Sequence, residues 1–261
     1  MKFHIELAKT ANAPTEFRLL NALSPKLVGD PNVDPDFSNV RALHKVFDGS
    51  PGGGTPLCKH INDVISFLKR HEQELRAGGQ VASLIICTDG VSSDGDLTAA
   101  MRPLKSLPVM VVVRLCTSDD SVVNYWNQLE GDLEMDLDII DDFFGEGNEV
   151  SHCNPWMNYG EPLQRLREFG IKVKELDMID EKLFTSAQMV KYLSYVFNCR
   201  TQDIPDPQID WATFDAWVVN QLKSLPLTFD PNTPSSGAEP WINMHRLRAC
   251  YHPSSGCCTI N

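Results

Sequence analysis

Two segments of the sequence place oxygen-bearing side chains at predicted turns. The first, Gly52–Leu57, is glycine-rich, and Thr55 followed by Pro56 predicts a helix start with Thr55 as the N-cap. The second, Leu84–Gly90, is an apolar run that predicts a buried parallel strand ending at Asp89. Ligands of open α/β sheets bind at the carboxyl ends of strands, and oxygen ligands suit a hard cation. Thr55 and Asp89 are therefore candidate ligands for Mg²⁺.

A glycine-rich helix start can also bind phosphate through its free N–H groups. This gives the main alternative, a phosphate- or nucleotide-binding enzyme that uses Gly52 to Thr55. However, the three glycines are followed by Thr-Pro-Leu, without the lysine of a phosphate-binding loop. Cys58 and His60 diverge on a helix because they are two residues apart, and no Gly-x-Ser-x-Gly segment occurs. The sequence therefore favours binding over catalysis.

Helices and strands must alternate around these two segments to bring them together. Apolar residues repeat at helical spacing from Leu57 to Leu68, with an expected end before Gly78. The further predictions are strands at 81–87, 109–113 and 137–140 and helices capped by Asp96, opened at 118–121 and spanning 161–169. This alternation predicts an α/β fold with a parallel sheet flanked by helices.

The Gly-Gly-Thr-Pro-Leu and Thr-Asp-Gly segments, in this order, resemble the von Willebrand factor type A (VWA) domain over about residues 15 to 170. The resemblance implies a Rossmann-like protein-binding module, not an enzyme, with a metal-ion-dependent adhesion site. Thr55 would bind Mg²⁺ directly or through water, and Asp89 through water. An acidic side chain of a protein partner would complete the coordination. Gly54 and Gly90, which lie in these motifs, and Ser92, two residues after the second motif, would contact that partner.

The family's first metal motif, Asp-x-Ser-x-Ser, does not occur upstream of Thr55. We expect Mg²⁺ to be held weakly or lost, because Thr55 and Asp89 alone provide few ligands. The first strand of the family, which precedes this motif, is missing as well. The chain could begin at an internal Met1, residues 3–7 could replace the strand, or a partner could supply it. The first explanation is favoured, since residues 5–20 look like a helix end followed by the family's second strand.

The expected domain organisation has three parts: a VWA-like domain over 1–175, N-terminally incomplete, a helical extension over 176–225 and a flexible tail over 226–261. A strand is predicted at 17–20, and the proline-broken loop that follows is expected to hold no element. An aromatic stripe in the predicted helix 210–225 is expected to pack against the sheet domain. The tail is rich in Pro, Ser and Gly.

Composition excludes some partners. A formal net charge of −12 argues against a nucleic-acid surface. The acidic runs around Asp94 and from Asp136 to Glu146 are expected to be solvated surface. Eight cysteines without a close-spaced disulfide pattern indicate reduced thiols, and no apolar run has the length of a signal peptide core or a membrane span. These features favour a cytoplasmic protein.

The last four residues, Cys258-Thr259-Ile260-Asn261, fit the outline of a prenylation signal, with Cys257 beside it as a second acylation candidate. Thr259 and Asn261 depart from the usual residues at their positions. A membrane is therefore expected as a partner only if Cys258 is prenylated.

Overall fold

The predicted apolar runs form a parallel sheet in the computed structural model, which describes residues 2–11, 13–21, 24–46, 48–50, 52–171 and 173–252. The first ten elements are α1 (Lys2–Ala11), β1 (Thr15–Phe17), β2 (Lys26–Val28), α2 (Ser38–Val46), α3 (Leu57–Ala77), β3 (Ala82–Thr88), α4 (Leu97–Met101), β4 (Val109–Leu115), α5 (Asp120–Leu133) and β5 (Leu137–Ile140). The remainder are α6 (Phe143–Cys153), α7 (Glu161–Glu168), α8 (Lys174–Asp177), α9 (Ser186–Val196), α10 (Trp211–Leu222), β6 (Thr228–Phe229), β7 (Ala238–Glu239) and α11 (Met244–Tyr251).

The sheet has three strands in the order β3-β4-β5. β3 and β4 pair in parallel, with Ala82 opposite Val109 and Thr88 opposite Leu115. Every residue of the central strand β4 except Arg114 is buried, as expected for a β-branched strand covered on both faces. The apolar sides of α3 and α5 share one core with β3 and β4. The predicted parallel sheet flanked by helices is thus present, and its strand ends set the position of the candidate site.

The amino-terminal elements form a separate small core. β1 pairs with β2 in antiparallel register, Thr15 opposite Val28, in a sheet distinct from the parallel one. Phe17 and Val28 are buried there with Ile5, Val40 and Leu43. The predicted strand at 17–20 therefore lies earlier, at 15–17. The expectation that the proline-broken loop holds no element is wrong, because β2 lies within it.

Contacts divide the chain into two compact units, Met1–Ile139 and Ile140–Asn261. The sequence had placed the boundary at residue 175, but α6 and α7 belong to the second unit. Their buried side chains Val150 and Leu163 share a core with Phe214 of α10 and Leu247 of α11. Described residues of the expected tail thus contribute to a packed core, whereas residues 253–261 lie outside the described residues.

The aromatic stripe of α10 also packs inside the second unit. Phe214 and Val218 are fully buried, and the half-buried rings of Trp211 and Trp217 pack beside them. Trp217 meets Phe197 edge-on, with ring centroids 5.4 Å apart. The expected packing partners on the sheet domain are replaced by α9 and α11 in this core. No helix in the described ranges is both long and apolar enough to cross a bilayer.

Candidate functional site

The structure brings the two motif loops together at the carboxyl end of β3. The Thr55 N–H donates to Ser93 Oγ at 2.9 Å, and the Ser93 N–H donates to the Thr55 carbonyl at 2.9 Å. These reciprocal hydrogen bonds join residues 38 positions apart. The glycine loop is therefore in direct contact with the turn that follows β3, whereas the predicted meeting of Thr55 with Asp89 stays a prediction.

The glycine loop fits closely against its surroundings. The Gly54 carbonyl accepts a hydrogen bond from Asn21 Nδ2 at 2.6 Å. A Cβ at Gly54 would lie 3.0 Å from Ser93 Oγ, and Gly53 has a φ of +103° that disfavours other residues. Glycine at these two positions thus allows the loop to approach both Asn21 and Ser93.

Thr55 does not cap α3, and this prediction is wrong. The helix begins at Leu57, its cap position is Pro56, and no side chain from that position caps it. The Asp94 carboxylate takes this role from the other loop, accepting the N–H of Cys58 at 3.0 Å and of Lys59 at 2.9 Å. A carboxylate at a helix N-terminus is favoured by the helix dipole as well.

The bonds to Asp94 change its acidity. Partial desolvation acts to raise the pKa of the Asp94 carboxyl, but the N–H of Lys59, the hydroxyl of Ser92 and the N–H of Cys58 outweigh it, so that the net pKa is lowered. The side chain is therefore held as an anion. The sequence interpretation of Asp94 as a solvated turn residue missed this structural role.

The start of α3 has no free backbone donor. The Thr55 N–H binds Ser93, the Leu57 N–H binds the Thr55 carbonyl, and the His60 N–H binds the Pro56 carbonyl. The N–H groups of Cys58 and Lys59 donate to Asp94, and Pro56 has no N–H group. An anion bound here would have to displace the internal carboxylate.

The Thr-Asp-Gly strand end is held from within. The Thr88 hydroxyl donates to the Gly90 carbonyl at 3.1 Å and accepts the Gly90 N–H at 3.2 Å. The indole N–H of the buried Trp126 donates to the same carbonyl at 3.1 Å. Asp89, between Thr88 and Gly90, is exposed. The backbone is thus fixed while the Asp89 side chain faces solvent.

The two predicted metal ligands are uncommitted within the described ranges. Neither the half-buried Thr55 hydroxyl nor the Asp89 carboxylate has a hydrogen bond or ion pair to another described residue. Both are available to a ligand. Gly54 is exposed and Gly90 is half-buried, while Ser92 donates to Asp94 Oδ1 at 2.8 Å. Partner contact by Gly54, Gly90 and Ser92 stays a prediction.

Ser93 and Trp126 were not predicted as parts of this site. Ser93 follows Ser92 in a polar turn, and only its contact with Thr55 distinguishes the two. Trp126 lies on α5, far from Gly90 in sequence, so the local pattern predicts only core packing. A hydroxyl-rich turn after a buried strand was the available signal for Ser93.

A second group of acidic side chains lies in the second unit. One oxygen each of Glu146, Glu149 and Asp180 lie within 4.8 Å of one another. The interpretation of Glu146 as solvated surface is wrong, because it is 2% exposed. The guanidinium of Arg167 contacts Glu146, and its Nη2 lies 2.9 Å from Asp180 Oδ2. The guanidinium of Arg167 thus provides part of the positive charge that a metal ion would bring to these carboxylates.

No protein-family model, no curated protein and no solved structure matches the chain. The VWA resemblance therefore stays a prediction from the two sequence motifs. Six described cysteines form no disulfide with one another. Cys257 and Cys258 lie outside the described residues, so the predicted lipidation stays a prediction.

Proposed function

We propose that the chain is a VWA-like protein–protein interaction module, not an enzyme. Its binding surface would be the exposed edge formed by the glycine loop and the turn after β3, with Gly54, Thr55, Asp89, Gly90 and Ser92. The observation that carries this proposal is the pair of hydrogen bonds between Thr55 and Ser93. These bonds hold the glycine loop, which carries the Thr55 hydroxyl, against the turn that follows Asp89 at the carboxyl end of β3. Ligands of α/β sheets bind at such strand ends.

Mg²⁺ is an optional part of this surface. Thr55 and Asp89 offer only one carboxylate and one hydroxyl, and Mg²⁺ gives up its water reluctantly. We expect an affinity on the order of millimolar, with most coordination positions filled by water. One of these positions would accept an acidic side chain of the partner. Such a site links two proteins through a shared cation, and the chemistry is binding.

The phosphate or nucleotide alternative has less support. The helix dipole and the first N–H groups of α3 already act on the Asp94 carboxylate. A phosphate would have to expel that carboxylate and leave it without the bonds that lower its pKa. We therefore expect inorganic phosphate and nucleotides to leave the melting temperature unchanged. A rise that is lost in Thr55→Val would favour this alternative.

The metal part is tested by titrating Mg²⁺ while following backbone amide NMR shifts and thermal stability. At tenfold excess over the dissociation constant, binding stabilises the fold by about 1.4 kcal/mol. We expect shifts at Thr55, Asp89 and Gly90 that disappear in Asp89→Asn and Thr55→Val and persist in Thr55→Ser. Asp132→Asn is the matched control, since Asp132 is an exposed aspartate on α5.

The partner part is tested with a short glutamate-rich peptide as a model acidic partner. We expect binding that needs Mg²⁺ and is weakened by Asp89→Asn but not by Asp132→Asn. If Mg²⁺ produces no shifts at millimolar concentration, the metal part is wrong. If the peptide shifts the same amides without Mg²⁺, the surface binds acidic groups directly. If neither Mg²⁺ nor the peptide perturbs these amides, the proposed surface is wrong.

We further propose that the protein acts in the cytoplasm, because its described cysteines form no disulfide with one another and the chain is strongly acidic. A nucleic-acid partner is disfavoured by the net charge of −12. Membrane association would need prenylation of Cys258, which mass spectrometry of the protein from its native cell would detect.

A further inference from the structure

A buried ionic cluster in the second unit contains more carboxylates than cations. Arg167 of α7 has a side chain that is 3% exposed and contacts Glu146 of α6, whose side chain is 2% exposed. Its other terminal nitrogen lies 2.9 Å from Asp180, which is 17% exposed. The same arginine therefore joins α6, α7 and the turn that follows α8.

The charges around this arginine do not balance. Glu149 lies one helical turn after Glu146, and its carboxylate is close to those of Glu146 and Asp180. Three carboxylates thus share one guanidinium. The remaining charged groups are Asp141 before α6 and His152 near Glu149, which act electrostatically on Glu149 in opposite directions.

Among the described residues, the other arginine of α7 is paired elsewhere. Arg165 of α7 pairs with Glu161 at 2.9 Å and with Glu168 at 2.7 Å. Close like charges out of water disfavour full ionisation, and a shared proton relieves the repulsion. A fully ionised cluster would place three negative charges against one positive charge around the buried Glu146, with Asp180 partly buried and Glu149 exposed.

The local environment agrees with this charge count. Burial raises the pKa of Glu146 to about 7, even though Arg167 and the N–H of Asp141 favour its ionised form. Burial also raises the pKa of Glu149, and Asp180 and Asp141 act in the same direction. Glu146 and Glu149 are therefore the two positions at which a proton would reside.

We propose that the cluster of Glu146, Glu149, Asp180 and Arg167 holds one extra proton in mildly acidic solution, releases it near neutrality, and so makes the attachment of α7 to α6 sensitive to pH. The proton neutralises one carboxyl, so that two carboxylates instead of three face Arg167 and the excess of negative charge is halved. When the proton leaves, the net negative charge repels and the attachment weakens. This proposal concerns the second unit and is independent of the binding surface proposed above.

The backbone that carries Asp180 is held in place. Asn154 fixes its turn, because the amide nitrogen donates to the carbonyls of Ile179 at 2.8 Å and Lys182 at 2.9 Å. The amide oxygen of Asn154 accepts the Phe184 N–H at 3.0 Å. The movable members are therefore the exposed Glu149 and α7 itself, and hydrogen exchange in α7 is expected to report the change.

The first test is the free energy of unfolding of the second unit against pH, measured for the full chain by hydrogen exchange and urea unfolding. A carboxyl whose pKa is raised on folding stabilises fully below its unfolded pKa, near 4.5, and this stabilisation is lost as pH rises to the folded value of about 7. The unfolding constant should rise at most about tenfold per pH unit, and up to about three-hundredfold over this window.

Glu146→Gln and Glu149→Gln separate this proton from other titrations. We expect at least one of the two substitutions to remove the dependence of the free energy of unfolding on pH between pH 5 and 7. This holds even if the variant is more or less stable than wild type at a given pH. Glu161→Gln is the matched control because Glu161 is an exposed glutamate of α7, and it should keep the slope of the wild type. Equal slopes in wild type and both cluster variants would overturn the proposal.

A second measurement does not depend on how the variants fold. The side-chain carboxyl carbons of wild-type protein labelled at glutamate are followed by NMR over the same pH range. One signal assigned to Glu146 or Glu149 should titrate near neutrality. If both titrate near the ordinary value, the proposal is wrong.

Discussion

Thr88→Val tests whether the hydroxyl at the end of β3 fixes the turn that carries Asp89. The substitution conserves shape and β-branching, so the strand itself should be unaffected. It removes the hydrogen bond to the Gly90 carbonyl and the acceptor of the Gly90 N–H. The carbonyl keeps the indole of Trp126 at 3.1 Å, whereas the N–H has no other acceptor among the described residues.

The magnitude follows from these bonds. Each hydrogen bond contributes about 1 kcal/mol net, and a buried donor without a partner costs about 1–3 kcal/mol. The new methyl group recovers about 0.8 kcal/mol, because Thr88 is only 5% exposed. We expect a net destabilisation of the first unit by about 1–2 kcal/mol, which is about a 5- to 30-fold change in its unfolding constant.

Urea unfolding measures this loss, and hydrogen exchange at the Gly90 amide measures it locally. Thr88→Ser is the control, because it keeps the hydroxyl and removes only the methyl group. The Gly90 amide should exchange faster in Thr88→Val but not in Thr88→Ser. Unchanged stability together with unchanged exchange in Thr88→Val would refute the role given to this hydroxyl.

Two further substitutions test the contacts described above. Asp94→Ala should increase hydrogen exchange in the first turn of α3. Wild-type protein should show the same fraying in acid, because the pKa of the Asp94 carboxyl is lowered on folding to below 3.8. The stabilisation that such a carboxyl provides is lost as the pH falls through its folded pKa. Gly147→Ala should destabilise the second unit by about 1–3 kcal/mol, because the alanine Cβ would clash with Pro231. Gly131→Ala in α5 is the control: a Cβ there meets open space and should not destabilise the chain. Urea unfolding compares the two alanine variants, and equal stabilities would contradict the clash.

The regular elements were predictable because their signals are local. Asp96 caps α4 by accepting the Ala99 N–H, as expected, and Leu137–Ile140 is a strand with the predicted bounds. The helix after the glycine loop also ends before Gly78. Periodicity and capping residues suffice for such elements because each depends on neighbours within a few positions.

The missed features depend on distant residues. β2 has three residues, which is too short for a periodic pattern, and its partner strand defines it. Asp94 caps α3 through the N–H of Cys58, which lies 36 positions earlier, so no local rule points to it. Glu146 looked like surface within an acidic run, and only the packing of Arg167 beside it shows the burial. Thr55 and Asp89 are predicted ligands, and the Mg²⁺ titration tests that role.

The capping of α3 by Asp94 has a consequence for the order of folding. The first turn of α3 lacks its own cap, so its amide groups at Cys58 and Lys59 stay unsatisfied until Asp94 is in place. Asp94 can be in place only after the chain has passed through β3 and turned back to α3. During synthesis Asp94 is the 36th residue that the ribosome adds after Cys58. The body of α3 can form early, but its amino-terminal turn should form late, and Asp94→Ala should accelerate unfolding more than it slows folding.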